Sequence, residues 1–350
     1  MKGMVFTGDE GVRYQHIDDP TVQDSKGAIV KVSHCSICGS DTQFYHGINN
    51  ASEDTHFCIG HEAIGEIVEV GSDVKSARPG DKVMLSGLTS EPCGKCANCW
   101  AGRPFYCHKQ VLGIYGTGLA MPGTQAEAVH VPNADKNATL IPDGVSNEQA
   151  LLLTDTLPTA FFGCDNADIR PGSRAAIVGL GPIGLMAVEL AFVFGATEVF
   201  AIDPVAYRRD KAAAMGAISL HPEEALEAIA ESTDGEMVHS VIDAAGRSSS
   251  IELAANIAAN RGVISCVGIS HEPTVSFPQI LSVVKSLTFR SALTYVPMTW
   301  PRLIPLLQHD TISPQNVFSH RLPLSEGERA YQLFCEREDS ALKIILDTAS

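Results

Sequence analysis

Basic residues are scarce in this chain of 350 residues: 25 Lys and Arg face 41 Asp and Glu, a formal net charge of −16. So acidic a surface repels phosphate backbones and anionic lipid, so neither nucleic acid nor a membrane surface is an expected partner. Long apolar runs are missing as well, and none reaches bilayer-spanning length. The opening Met1-Lys2-Gly3-Met4-Val5 lacks the apolar core of a secretory leader. Internal repeats and low-complexity tracts are absent, which excludes repeat architectures. The ten cysteines are too dilute for the disulfide framework of a small secreted scaffold, so a reducing cytoplasm is expected. What remains is ordinary globular composition, 45% hydrophobic and 19% charged, at a length that suits two domains.

The first part of the chain, to about residue 150, is rich in short β-type runs punctuated by Gly and Pro. Gly27 to Val32 alternates like a half-buried strand, Ala63 to Val70 is another such run, and Arg78-Pro79-Gly80-Asp81 turns into Val83-Met84-Leu85. Ala126 to Val131 adds a further strand, and the density of strands implies a barrel-like β domain. Asn147 to Leu153 reads as a helix with Ser146 as N-cap, and Asp155 reads as helical too. From Gly172 strands and helices alternate: Arg174 to Val178, Pro182 to Gly195, Glu198 to Ile202, Arg208 to Met215, Glu223 to Glu231, Val238 to Ile242, Ser250 to Asn260 and Gly262 to Val267. That alternation predicts a doubly wound parallel sheet. Leu342 to Leu346 closes the chain as a strand.

Three motifs carry chemistry. Cys38-Gly39-Ser40-Asp41 and Gly60-His61-Glu62 supply a thiol, an imidazole and carboxylates, the ligand types of a catalytic zinc that keeps one position open. Cys93, Cys96, Cys99 and Cys107, separated by two, two and seven residues, can close a tetrahedral cage around zinc or hold an iron–sulfur cluster. The other thiols, Cys35, Cys58, Cys164, Cys266 and Cys335, show no such spacing and read as buried free cysteines. Gly179-Leu180-Gly181-Pro182-Ile183-Gly184 follows a strand and opens a helix, the pyrophosphate-binding turn of a dinucleotide site. Asp203, ending the next strand, suits the adenosine ribose hydroxyls and repels a 2′-phosphate, which favours NAD over NADP. Arg208 nearby offers a phosphate contact or a ribose contact.

With these motifs in this order the chain resembles, nearly end to end, the zinc-dependent alcohol dehydrogenase family of the medium-chain dehydrogenase/reductase superfamily. Gly60-His61-Glu62-x-x-Gly65, followed by Gly71 and Val74, is similar to that family's zinc signature. The resemblance implies a GroES-like catalytic domain over 1–155 and 291–350, with a structural-zinc lobe at 92–108, and a Rossmann domain over 156–290. It implies zinc for the four-cysteine cluster and Asp155 as third catalytic ligand, with Cys164 as the alternative thiol. Glu62 is implied behind or on the metal, Asp41 orienting His61, Ser40 accepting the substrate proton, Thr159 near the nicotinamide, and Val267, Gly268 and Ile269 at its carboxamide. Lys343 is implied beside Glu62 or the cofactor phosphates. Where relatives often end a proton relay in histidine, this chain has Gln43, and His46 is the substitute on offer. Thr89, smaller than the aromatic often found in primary-alcohol enzymes, leaves room for secondary or bulky alcohols, and Phe57, Leu119 and Tyr295 read equally as further wall residues or as core residues. The implied protein is a homotetramer that oxidises an alcohol with NAD. Polyol or amino-alcohol oxidation, or a non-catalytic zinc and nucleotide binder, are the alternatives.

Overall fold

Alternation and burial set the first sheet. Strand Glu62–Val70 buries its first half outright, with only Glu66, Val68 and Glu69 emerging beyond it. It pairs antiparallel with Ala28–Ser36, whose Val30, Val32 and Cys35 are also buried. Each fully buried Val or Ile of this kind contributes about 1.5–3 kcal/mol relative to exposure. The computed structural model describes residues 1–8, 11–46, 56–101, 103–109, 113–118, 121–269, 272 and 274–348. Leu119 lies outside the described residues.

Two units are present. The first comprises Met1–Asp155, Tyr295–His309 and Phe318–Ser350; the second comprises Thr156–Thr294 and Asp310–Val317. In the first, the main sheet runs Ala138–Leu140, Lys82–Leu85, Glu62–Val70, Ala28–Ser36, Lys343–Asp347 and Phe318–Pro323, with Ala128–Val131 also paired to Ala28–Ser36. A smaller sheet joins Val12–His16, Lys2–Phe6 and Phe57–Cys58. Phe57 packs against Phe6 and Phe44, ring centroids 5.5 and 5.4 Å away, so it belongs to the core and not to a substrate wall.

In the second unit six parallel strands follow the order Ile218–Leu220, Glu198–Ile202, Arg174–Val178, Val238–Asp243, Ala258–Cys266, Thr288–Ser291. This is the doubly wound arrangement whose switch point lies between the strands starting at Arg174 and Val238. Helix Pro182–Val193 starts with Pro at its first position and stops two residues before Gly195, whose positive φ of 101° supplies the left-handed C-terminal turn.

Two helical expectations are corrected, each for a physical reason. The helix expected over 250–260 spans Ser248–Ile257, and Ala258 already begins a strand. The Lys285 ammonium donates to the carbonyls of Ala255, Asn256 and Ala258, satisfying groups that a longer helix would have used itself. Asp155 lies in a turn between helices Asn147–Leu152 and Thr156–Asn166, not on a helix. There the Thr154 carbonyl accepts from Gly87 N–H at 2.9 Å, which takes it out of any helical ladder. No helix among the described residues is long and apolar enough to cross a membrane.

Candidate active site

The 3-10 turn Gly39–Asp41 and the start of strand Glu62–Val70 bring Cys38 beside His61 and Glu62, and the turn at Asp155 completes the set. One donor atom from each of Cys38, His61, Glu62 and Asp155 lies within 4.8 Å of all the others. Asp155 Oδ2 is 3.7 Å from Cys38 Sγ and 3.4 Å from His61 Nε2. Thiolate, imidazole and carboxylate oxygen are the donors zinc takes, and four of them converge here. The field of the site agrees. Burial alone would push the His61 imidazolium pKa down, yet the Asp41 carboxylate, Cys38 and Asp155 outweigh it and raise it well above the usual value. A site that favours positive charge at this depth suits a divalent cation.

Asp41 is 2% exposed, and its Oδ1 lies 3.2 Å from His61 Nδ1, which leaves Nε2 turned to the cluster. Glu62, fully buried, accepts hydrogen bonds at one carboxylate oxygen from the Ser36 hydroxyl and the Lys343 ammonium. Lys343 also donates to Ile37 O at 3.1 Å. It is 1% exposed on a strand paired on both sides, so the cofactor-phosphate option for this lysine is corrected: its charge is committed to Glu62. Ser40 is half-buried on the turn that carries Cys38. His46, at the exposed end of helix Thr42–Tyr45, sets its ring against Tyr45 at 5.3 Å and has no described contact with the cluster. Cys164 is buried, with its thiol donating to Ala187 O, and is not part of the cluster.

The four cysteines of the lobe also converge to within 4.8 Å. Cys93 N–H points at Cys107 Sγ at 3.3 Å, and this donor, with Lys109 N–H, outweighs desolvation and pushes the Cys107 thiol down to about 6. Cys96 is lowered as well, first by the Cys99 N–H, whereas burial and the neighbouring thiols push Cys99 up to about 11. Backbone donors aimed at sulfur suit thiolates gathered around a metal. Of the five unpatterned cysteines, four are buried and Cys335 is only half-buried.

In the second unit Gly181 caps helix Pro182–Val193, and nothing stands within 4 Å of where its side chain would begin, so the helix N-terminus can be approached. A side chain at Gly184 would meet Gly179 O at 1.8 Å, so glycine there is a packing requirement. Ile183 continues the first turn of the same helix. Asp203 accepts from Leu180 N–H at 2.7 Å and Val205 N–H at 2.8 Å. Two backbone donors leave a carboxylate with further acceptor capacity. Arg208 Nη1 lies 3.8 Å from Asp203 Oδ2, and its Nε donates to the Tyr207 hydroxyl. Val267 and Gly268 N–H groups both donate to Asp243 O, and Ile269 is 65% exposed just beyond. Thr159 is half-buried on helix Thr156–Asn166.

Residues 24–143 match the family described as alcohol dehydrogenase GroES-like domain, and residues 182–309 match zinc-binding dehydrogenase. A probable zinc-binding alcohol dehydrogenase of Mycobacterium tuberculosis is 38% identical over 99% of this chain and 88% of its own length. The chain belongs to the zinc-dependent alcohol dehydrogenase family. The alcohol dehydrogenase of Thermus sp. ATN1 superposes with a TM-score of 0.89 at 33% identity, covering 99% of both chains. An alcohol dehydrogenase from Escherichia coli CFT073 solved with NADH gives 0.85 at 28% identity over 99% of both chains. This dehydrogenase is therefore an oxidoreductase that uses zinc and NAD(P).

Sequence reasoning did not reach Ser36, Gln125 and Tyr331, which are fully buried and hydrogen-bonded around the ligands. Their only signal in the sequence is weak: three polar residues in or beside apolar β-type and helical runs.

Proposed function

We propose that the dehydrogenase oxidises a secondary or branched alcohol to a ketone or aldehyde with NAD, and catalyses the reverse reduction, through a zinc held by Cys38, His61 and Asp155. The observation that carries this is the convergence of these three donors with Asp41 behind His61. Zinc, when bound, supplies a Lewis acid that makes an alcohol hydroxyl acidic, and NAD supplies the hydride acceptor. The chain's own residues do the rest. Asp41 keeps the His61 tautomer with Nε2 free for the metal. Ser36 and Lys343 hold Glu62 back from competing as a full ligand. Ser40, on the turn that carries Cys38, is the residue to take the hydroxyl proton, which would leave toward water by way of a ribose hydroxyl when the cofactor is bound, because the Gln43 amide cannot take a proton at neutral pH.

Preference for NAD is supported by the Asp203–Arg208 pair: the guanidinium already faces a carboxylate and is not offered to a 2′-phosphate. Room for a branched substrate is supported by Thr89, whose hydroxyl is spent on Gly113 O at 3.2 Å. Tyr295 stacks on Phe105 at 5.1 Å, which serves packing as well as a wall. The test is a panel of primary and secondary alcohols, polyols and amino alcohols assayed with both cofactors. Secondary alcohols should lead with NAD, and Asp203→Ala should raise relative NADP use at least roughly tenfold, the equivalent of 1.4 kcal/mol. A polyol or amino alcohol leading the panel overturns the substrate reading, and NADP preference in the unaltered enzyme overturns the cofactor reading.

A homotetramer in a reducing cytoplasm completes the proposal. Helix Gln279–Lys285 leaves Ile280, Val283 and Val284 81, 71 and 75% exposed, close in sequence to the sheet's outermost strand Thr288–Ser291. An exposed apolar helix face, in a unit whose outermost strand is paired on one side only among the described residues, favours a second copy. Sedimentation should give a multiple of the chain mass, and Val283→Glu should shift it downward; a monomer in the unaltered protein ends this reading. All ten cysteines are free, as suits a reducing compartment.

A further inference from the structure

We infer that Gln125, locked by Tyr331, is a positioning residue for the catalytic metal ligands, acting through Asp41. This rests on the reading of Cys38 and His61 as ligands of the catalytic zinc.

Asp41 has two oxygens with separate tasks. Oδ1 faces His61 Nδ1, while Oδ2 accepts from Cys38 N–H at 3.0 Å and from Gln125 Nε2 at 3.3 Å. The carboxylate thus touches the backbone of one ligand and the ring of another, and any rotation of it disturbs both. Gln125 is the side chain that restrains such rotation. Its amide nitrogen also donates to Ser36 O at 3.1 Å, and its Oε1 accepts from the Tyr331 hydroxyl at 2.8 Å. Gln125, Ser36 and Tyr331 are all fully buried, so no water can substitute for these bonds without opening the core.

The direction of the amide is the central point. Tyr331 is a donor to Oε1, which places Nε2 toward Asp41. Without that hydroxyl the amide can flip, and a carbonyl oxygen would then face the Asp41 carboxylate, a repulsive contact between two acceptors. Room for the glutamine stem comes from Gly60, beside the His61 ligand: a side chain there would meet Gln125 Cγ at 2.4 Å. Gly60 also has a φ of 87°, so both space and backbone exclude other residues at that position. Ser36 ties the same network to Glu62, since its carbonyl accepts from Gln125 and its hydroxyl donates to the carboxylate. Tyr331 sits on helix Gly327–Glu336, so a residue late in the chain sets the geometry of ligands near its beginning.

The experiment follows zinc release from the holoenzyme into a chromogenic chelator. Removing a partner behind a metal ligand typically costs 10–100-fold in metal affinity. Gln125→Met keeps the volume and removes the donors; Tyr331→Phe removes only the hydroxyl. Both should speed release of the catalytic zinc by about 10–100-fold, Tyr331→Phe by the smaller factor, while the four-cysteine zinc leaves at its unaltered rate. The absorption bands of the cobalt-substituted catalytic site should shift in both variants. In an Asp41→Ala background, Gln125→Met should add nothing further, because its effect passes through that carboxylate. An unchanged release rate, equal acceleration of both zincs, or an undiminished effect in the Asp41→Ala background each overturns the inference. His61→Ala is the independent control: if it leaves the labile zinc in place, the ligand assignment itself has failed, whatever Gln125 does.

Discussion

Cys38→Ala and His61→Ala should each contain one zinc per chain where the unaltered dehydrogenase contains two, and should lose turnover by about a thousandfold or more. The magnitude follows from what the ion contributes: several kcal/mol of transition-state charge stabilisation, at 1.36 kcal/mol for each factor of ten. The loss should be confined to chemistry. The dinucleotide cradle around Gly181 and Asp203 belongs to the other unit, so NADH should bind the variants as before. The four-cysteine lobe shares no ligand with this cluster, so its zinc should remain. Ser40→Ala separates proton transfer from metal binding: it should keep both zincs and lower kcat by roughly 10²–10⁴-fold. Gln43→His should change the pH–rate profile near neutrality by adding a group that titrates there. An unchanged profile would mean that the relay does not limit the reaction. Substantial turnover in a His61→Ala preparation shown to hold a single zinc would sink the mechanism.

Lys343→Met should cost about 3–5 kcal/mol, because it takes away the ammonium that balances the Glu62 carboxylate in a fully buried position. The double variant Lys343→Met, Glu62→Gln should recover most of that loss, since no charge then remains to be desolvated. Urea unfolding followed by tryptophan fluorescence is the suitable measurement, because both tryptophans, Trp100 and Trp300, lie in the first unit with the pair. A midpoint for Lys343→Met equal to that of the unaltered protein would show that Glu62 does not depend on the ammonium. The sign with pH is also set. Burial works to lower the Lys343 pKa, and Glu62 together with Cys38 and Asp155 outweighs it, leaving the pKa above the usual lysine value. The contribution of a group raised on folding is fully present below its unfolded pKa and fades as pH rises through the folded one. The lysine's contribution is therefore present through neutral pH and fades as pH rises through its raised pKa.

The nucleotide turn was legible because it depends on local rules. Gly184 must be glycine because its own helix turns back onto Gly179 O, a contact five residues long that any reader of the motif can foresee. The same holds for Ser146, which caps helix Asn147–Leu152 by accepting from Gln149 N–H as its position before the helix suggests. The four cysteines between 93 and 107 are likewise a matter of spacing, and they converge within one small lobe.

Asp155 and Lys343 show where local rules stop. Asp155 reads as one more helical carboxylate, and a backbone bond from Gly87 to Thr154 takes it out of the helix and turns it toward Cys38. Lys343 reads as a basic residue on a terminal strand with two destinations, and only pairing on both sides of that strand buries it against Glu62. The bonds that orient the metal ligands join residues 84, 206 and 281 positions apart, Gln125 to Asp41, Tyr331 to Gln125 and Lys343 to Glu62. By itself the sequence determined the ligand types and the nucleotide turn, because those rest on residues at short spacing, and the order of its motifs carried the resemblance that implied the chemistry. Only the tertiary structure decided which way the Asp41, Gln125 and Glu62 side chains face, because buried polar groups take partners from whichever strand or helix the fold lays beside them.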